Sequence, residues 1–321
     1  MKLNSSATLP DRPVLSGSRA GLGWGLLGVA GFSFTVPFTR VAVQSGAISP
    51  LFVASGRAVV AAVLAAGALA LTGQRPPRGG QWARLAVVAA GVVAGFPLLT
   101  SFALTAAPAG HSAVVIALLP AATAVMAVLR GGERPPPAFW AMAAAGAAVT
   151  AGFAWWQGGG GSGGLRWADL LLLGAVAAAA VGYAEGGLLS RELGAWQTIS
   201  WALVLAAPVM LVLAGLAAAA RPPAGTPAEW AAFGYLGLVS MFLGFFAWYR
   251  GLAIGPIAQV GQIQLVQPVL GVSWAALLLG ERITWATVLG GLAVIGCAGL
   301  AIRTRQKPSI PDKSDKSTIA E

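Results

Sequence analysis

Four kinds of side chain here could bind or move something: Arg57, Glu185, His111 and a run of glutamines. All lie in or beside long apolar stretches, where a polar group is costly and faces a cavity or a partner. Arg57 stands about six residues inside the stretch 51–72, roughly 9 Å along a helix. A guanidinium there offers a fixed positive charge to carboxylates or phosphates. Tying down neighbouring helix carbonyls, or snorkelling to the surface, would account for it equally. Glu185, beside Tyr183, could take up a proton and so respond to a proton or other ion gradient. It also lies about four residues from a helix end, close enough to reach the interface by itself.

Gln259, Gln262, Gln264 and Gln267 share one apolar stretch. At 100° per residue the first, second and fourth fall within an arc of about 140°. That polar stripe fits substrate contacts or hydrogen bonds between helices. His111 is the only histidine, so it forms no histidine metal cluster, and it stands as a candidate substrate or pH-sensing contact. Trp201 lies about one turn inside its stretch, with Phe102 and Tyr249 as further cavity candidates. Pro37, Pro120 and Pro268 interrupt apolar runs, where proline removes a backbone hydrogen bond and bends the helix. Hinges and fixed packing bends are both open to them. No HExxH motif, Walker lysine or cysteine pair is present. The chain reads as no enzyme, with no metal and no cofactor.

The elements that position these groups follow from composition. The chain of 321 residues is 57% hydrophobic and 9% charged, against roughly 25% charged residues in soluble domains. A water-soluble core would have almost nothing polar to cover it, so the class is integral membrane. The apolar runs are long and unalternated, which excludes the roughly ten-residue alternation of barrel strands. The net charge of +10 comes from cations scattered singly between the runs, so nucleic acid is no partner.

Ten runs are long enough for transmembrane helices. Spans 1–5 occupy 21–40, 51–72, 83–105, 110–130 and 137–156; spans 6–10 occupy 168–189, 196–219, 230–249, 257–279 and 284–303. With the N-terminus inside, fifteen Lys and Arg fall on cytoplasmic segments and four on outer ones. The bias puts both termini in the cytoplasm. Trp24, Trp82, Trp140, Trp167, Trp196, Trp230 and Trp248 fall near span ends, as an interfacial belt.

Residues 1–20 form a cytoplasmic N-terminal segment, and 304–321 read as a disordered cytoplasmic tail. A Gly/Ser-rich outer linker, 157–166, separates residues 21–156 from 167–303, with five spans on either side. At an offset of 148, Leu104 meets Leu252, Pro108 meets Pro256 and Pro120 meets Pro268. Gly132–Glu133–Arg134 likewise meets Gly280–Glu281–Arg282. Each Gly-Glu pair suits a tight turn between two helices, glycine ending one and glutamate favouring the start of the next. An odd number of spans per copy inserts the second copy from the opposite face. Inverted repeats of this kind place a substrate site near the midplane, where the copies meet.

The stretch "AAPAGHSAVVIALLPAATA" (Ala106–Ala124) followed by GER is similar to the EamA family of the drug/metabolite transporter superfamily. So is "GLAIGPIAQVGQIQLVQPVLGVSWAALLLGERITWATVLGGLAVIG" (Gly251–Gly296). Arg57 matches a position where that family often carries arginine; span 1 lacks the asparagine common there. The resemblance implies an all-α permease of ten helices in the bacterial cytoplasmic membrane. It further implies export of an amino acid, metabolite or drug-like compound by alternating access. Spans 1–4 and 6–9 would line the cavity, with spans 5 and 10 outside it. A non-transporting membrane scaffold and a membrane-embedded enzyme are the contrasting readings.

Overall fold

The computed structural model describes residues 18–132 and 166–280, with parts of 136–149 and 285–300. Every regular element among the described residues is helical. Seven helices are long and apolar enough to cross a membrane. They are Ala20–Val43, Pro50–Leu71, Gln81–Ala106, Trp167–Leu193, Ala195–Ala220, Pro227–Ile254 and Ile257–Leu279, matching expected spans 1–3 and 6–9. Expected span 4 is divided into Ala109–Ile116 and Leu119–Gly131. Spans 5 and 10 fall largely outside the described residues. Glu133, Glu281, residues 157–165 of the linker, the first seventeen residues and the tail fall wholly outside them.

Several helices run past their apolar limits because polar residues start them. Ser49 accepts a hydrogen bond from the Phe52 N–H at 3.2 Å, with Pro50 in the first turn. Thr226 accepts from the Glu229 N–H at 3.3 Å, while Glu229 accepts from the Thr226 N–H at 2.6 Å. Together these satisfy N–H groups that would otherwise lack a partner.

Spans 1, 3, 4, 8 and 9 are interrupted, and the interruptions of spans 3 and 8 recur about 148 residues apart. Span 3 loosens to a π-helix over Ala89–Gly95, and span 8 over Leu236–Leu243. Both then resume as α-helix, over Phe96–Ala106 and Gly244–Ile254. Gly132 and Gly280 end their helices in nearly identical left-handed conformations, φ 65°, ψ 18° and φ 64°, ψ 19°. Glycine takes that conformation without a Cβ penalty.

The packing shows the same exchange. Phe96–Ala106 lies along Trp167–Leu193 of span 6, while Gly244–Ile254 lies along span 1. Spans 2 and 7 pack on each other. Small residues let backbones approach where spans cross. A Cβ on Gly91 would stand 2.5 Å from the Ala178 carbonyl oxygen and 3.1 Å from the Gly182 Cα. Gly67, by contrast, has nothing within 4 Å of its Cβ position. Gly91→Ala is therefore expected to force spans 3 and 6 apart and cost about 1–3 kcal/mol. Gly67→Ala, which favours helix, should stabilise slightly. Thermal unfolding in detergent checks the pair, and equal midpoints for the two variants would count against this packing.

Candidate functional site

Two adjoining cavities lie in the interior. The larger is about 430 Å³ including its open mouth, and is lined by Arg57, Thr35, Tyr183, Ser240 and Phe245 among others. The smaller, about 320 Å³, is lined by Ser33, Ala113, Ile116, Gln264 and Gly271 among others. Leu119 and Gln267 form a wall common to both. These two residues stand 148 apart in the chain, at equivalent places in the sequence offset.

Interrupted helices surround this space. Span 1 breaks at Ser33–Phe34 between Ser18–Phe32 and Thr35–Val43. The first break of span 4 falls at Ala117–Leu118, and span 9 tightens to a 3-10 helix over Gln262–Leu265. Four prolines follow such breaks. Pro97 and Pro120 sit in the first two positions of resumed helices; Pro37 and Pro268 are third in theirs. The first four N–H groups of a helix have no partner within it, so proline loses little there. The sequence places Pro120 and Pro268 near mid-helix, whereas the chain restarts its helices just before them.

Arg57 is 1% exposed and faces the larger cavity. Its Nη1 stands 3.5 Å from Thr39 Oγ1, and its Nε has no hydrogen-bond partner. Among the described residues it binds no carbonyl and no carboxylate, and its burial excludes snorkelling. Thr39 donates to the Thr35 carbonyl at 2.7 Å, and the Thr35 and Ser240 hydroxyls are paired at 2.7 Å. Aromatic rings build the adjoining wall. Phe32 meets Phe245 at 4.9 Å between centroids, and Tyr183 meets Trp248 at 5.4 Å. Trp248 is wholly buried, which corrects its expected place in the interfacial belt. It inserts beneath Gly28, where a Cβ would be 2.9 Å from the Trp248 backbone nitrogen.

Of the glutamines, Gln267 reaches the cavities and donates to the Phe32 carbonyl at 3.4 Å. Gln262 is buried, with its amide 3.5 Å from the Pro120 carbonyl. Gln259 is half-buried and lines neither cavity. Gln264, which a uniform 100° projection leaves outside the stripe, is buried and lines the smaller cavity. The 3-10 segment supplies the difference, because it turns about 120° per residue. Trp274 is a second residue that periodicity misses. It stacks on Phe34 at 4.4 Å and 19°, and its indole N–H donates to Ser33 Oγ at 3.2 Å.

The remaining candidates lie elsewhere. Trp201 packs on Trp82 at 5.9 Å, outside the cavity linings. Phe102 is exposed, and Tyr249 is buried with its hydroxyl donating to the Gly182 carbonyl at 3.1 Å. His111 pairs with Asp169 at 2.6 Å, joining span 4 to the start of span 6. Asp169 also accepts from the Arg166 N–H at 3.1 Å. Glu185 is 1% exposed and is held by two arginines, Arg84 on one oxygen and Arg130 on the other at 2.6 Å. Arg84 also binds Glu192. Two further arginines cap helix ends: Arg40 donates to the Leu104 carbonyl at 2.6 Å, and Arg191 to that of Gly255 at 3.1 Å.

The model of the EamA-like transporter family matches this chain twice, over residues 19–157 and 166–303. The uncharacterized transporter YdeK of Bacillus subtilis (strain 168) is 47% identical over 291 residues, spanning 88% of this chain and 97% of that protein. One solved crystal structure superposes with a TM-score of 0.64 at 20% identity, covering 88% of this chain and 98% of its own. That likeness concerns the fold alone. Together with the seven apolar helices, these findings describe a multi-pass cell-membrane protein, and a transporter rather than an enzyme. By the family model's match to both halves and by this level of identity to a transporter, the chain belongs to the EamA-like transporter family.

Proposed function

We propose that the protein is a secondary active permease that exports a small metabolite, an amino acid or a drug-like compound, by alternating access. In this reading ten spans form two inverted five-helix repeats, with both termini in the cytoplasm. One observation carries it: the breaks of spans 1, 3, 4, 8 and 9 adjoin the same pair of cavities. At membrane depth, irregular backbone is tolerated only where it is buried in protein or lines a water-filled space. Discontinuous helices at the meeting of two repeats are where transporters bind substrate. The recurrence of π segments, helix breaks and left-handed glycines at 148 residues supports the repeat, and the Lys and Arg bias supports the orientation.

Arg57 and Gln267 are the substrate contacts in this reading, with Gln262 bracing spans 4 and 9. Glu185, a coupling candidate by sequence, is better read as the centre of a cytoplasmic latch. It ties span 6 to Arg84 of span 3 and Arg130 of span 4, across the two proposed repeats. Coupling by a proton would require this carboxylate to give up both arginines.

Flux into proteoliposomes across a panel of amino acids, organic acids and drug-like compounds tests the transport reading. A substrate-dependent signal is expected, reduced at least about tenfold by Arg57→Ala and less by Gln262→Ala. No flux across the panel would sink it. For the latch, Glu185→Gln leaves two cations without their shared partner. We expect a loss of about 1–3 kcal/mol, discounted for the exposure of Arg84 and Arg130. Glu192→Gln, on a side chain 46% exposed, should change the unfolding midpoint little. A midpoint for Glu185→Gln equal to wild type would refute the latch.

A further inference from the structure

The charge balance around Arg57 narrows the ligand. Arginine keeps its proton in proteins, so the larger cavity holds a full positive charge at a site 1% exposed. Four carboxylates occur among the described residues, and each is engaged elsewhere. Glu185 and Glu192 bind the arginines of the latch. Asp169 binds His111, and Glu229 binds Ser45 and the Thr226 N–H. None lines either cavity. An isolated buried charge is among the costliest groups a fold can carry, and the Thr39 hydroxyl at 3.5 Å does little to offset it. The Nε is itself buried and has no partner, so the guanidinium's charge is left unmet, and its planar fork suits a carboxylate.

We propose that this cavity selects organic monoanions: one carboxylate on an apolar or aromatic body, bound against Arg57 and the rings of Phe32, Tyr183 and Phe245. The inference rests on the transport reading for its placing of the substrate here, and it sharpens the substrate class. A zwitterion brings an ammonium as well as a carboxylate. Among the described lining residues that ammonium meets only neutral acceptors, such as Thr35, Ser240 and Gln267, and the site keeps its net charge. A phosphate monoester carries a second negative charge, and no second cation stands among the described lining residues to meet it. A monoanion alone leaves the cavity neutral.

Six probes that share two bodies and differ in charge test this on the purified full-length protein. Phenylpyruvate, L-phenylalanine and phenethylamine form one set; 4-methyl-2-oxopentanoate, L-leucine and isopentylamine form the other. Isothermal titration is expected to show at least one oxo acid binding about tenfold or more tightly than its amino acid, with the amines not binding. Arg57→Gln should abolish that binding, and Arg57→Lys should retain part of it, keeping the charge without the fork. Equal or tighter binding of an amino acid or amine overturns the proposal, as does failure of both oxo acids to bind at millimolar concentration. If Arg57→Gln does not fold, the wild-type comparison still decides. Flux in proteoliposomes separates the two readings. Binding of an oxo acid without flux upholds charge selection and removes transport; flux of leucine or an amine without an oxo acid does the reverse.

Discussion

Hydrocarbon offers a peptide group no hydrogen-bond partner, and this one constraint organises the molecule. It makes the long apolar runs helical, and it decides where those helices are allowed to break. A break releases carbonyl and N–H groups, which then need protein or water beside them. Here the breaks of five spans gather about one pair of cavities, so the interior tolerates irregular backbone that a lipid-facing surface would not. The prolines follow the same logic. Pro37, Pro97, Pro120 and Pro268 each stand in the first turn of a resumed helix, where the missing N–H costs little. Pro208 alone sits inside an unbroken described helix, Ala195–Ala220.

The second organising term is electrostatic. With 9% charged residues, the chain spends its ionic groups sparingly. Described carboxylates pair with arginine, histidine, hydroxyl or backbone N–H groups, and Asp169, Glu192 and Glu229 stand near the ends of their helices. Arg57 is the exception, buried at the cavity with a donor to spare. Contrast between paired ends and an unpaired interior gives the site its polarity. One end of the span 4–span 6 contact is held by Arg130 and Glu185, the other by His111 and Asp169. Between spans 1 and 9 the contacts are neutral: Trp274 with Ser33, Gln267 with the Phe32 carbonyl and the Phe34–Trp274 stack.

Apolar runs and turn residues made much of the fold legible in the sequence. Hydropathy located seven of the spans, with ends up to about five residues off where a helix runs on past its apolar run, as at Pro227–Ile254. Gly132 and Gly280 were legible because left-handed termini favour glycine. The site was legible only in part. Arg57 stood out because a charge in an apolar run has few explanations. Trp248 did not, because an interfacial tryptophan and a buried one look alike without knowledge of the facing helix, here a glycine-bearing face of span 1. Gln264 and Trp274 lie on a helix whose winding changes along its length, so a uniform projection misplaced the first and ignored the second. Asp169 was hidden because its partner is remote in sequence.

The arginine caps carry a mechanical consequence. Arg40, on span 1, holds the Leu104 and Thr105 carbonyls at the end of Phe96–Ala106, and Arg191, on span 6, holds the Leu252 and Gly255 carbonyls at the end of Gly244–Ile254. A cation at a helix C-terminus is favoured by the helix dipole, so both are anchored ends. The opposite ends of these two helices run into the π segments, where the regular hydrogen-bond ladder is already interrupted. A rod fixed at its tip and softened at its root deflects at the root. Flexion in spans 3 and 8 is thereby directed to Ala89–Gly95 and Leu236–Leu243, the two stretches that supply Val92, Ser240 and Met241 to the cavity wall.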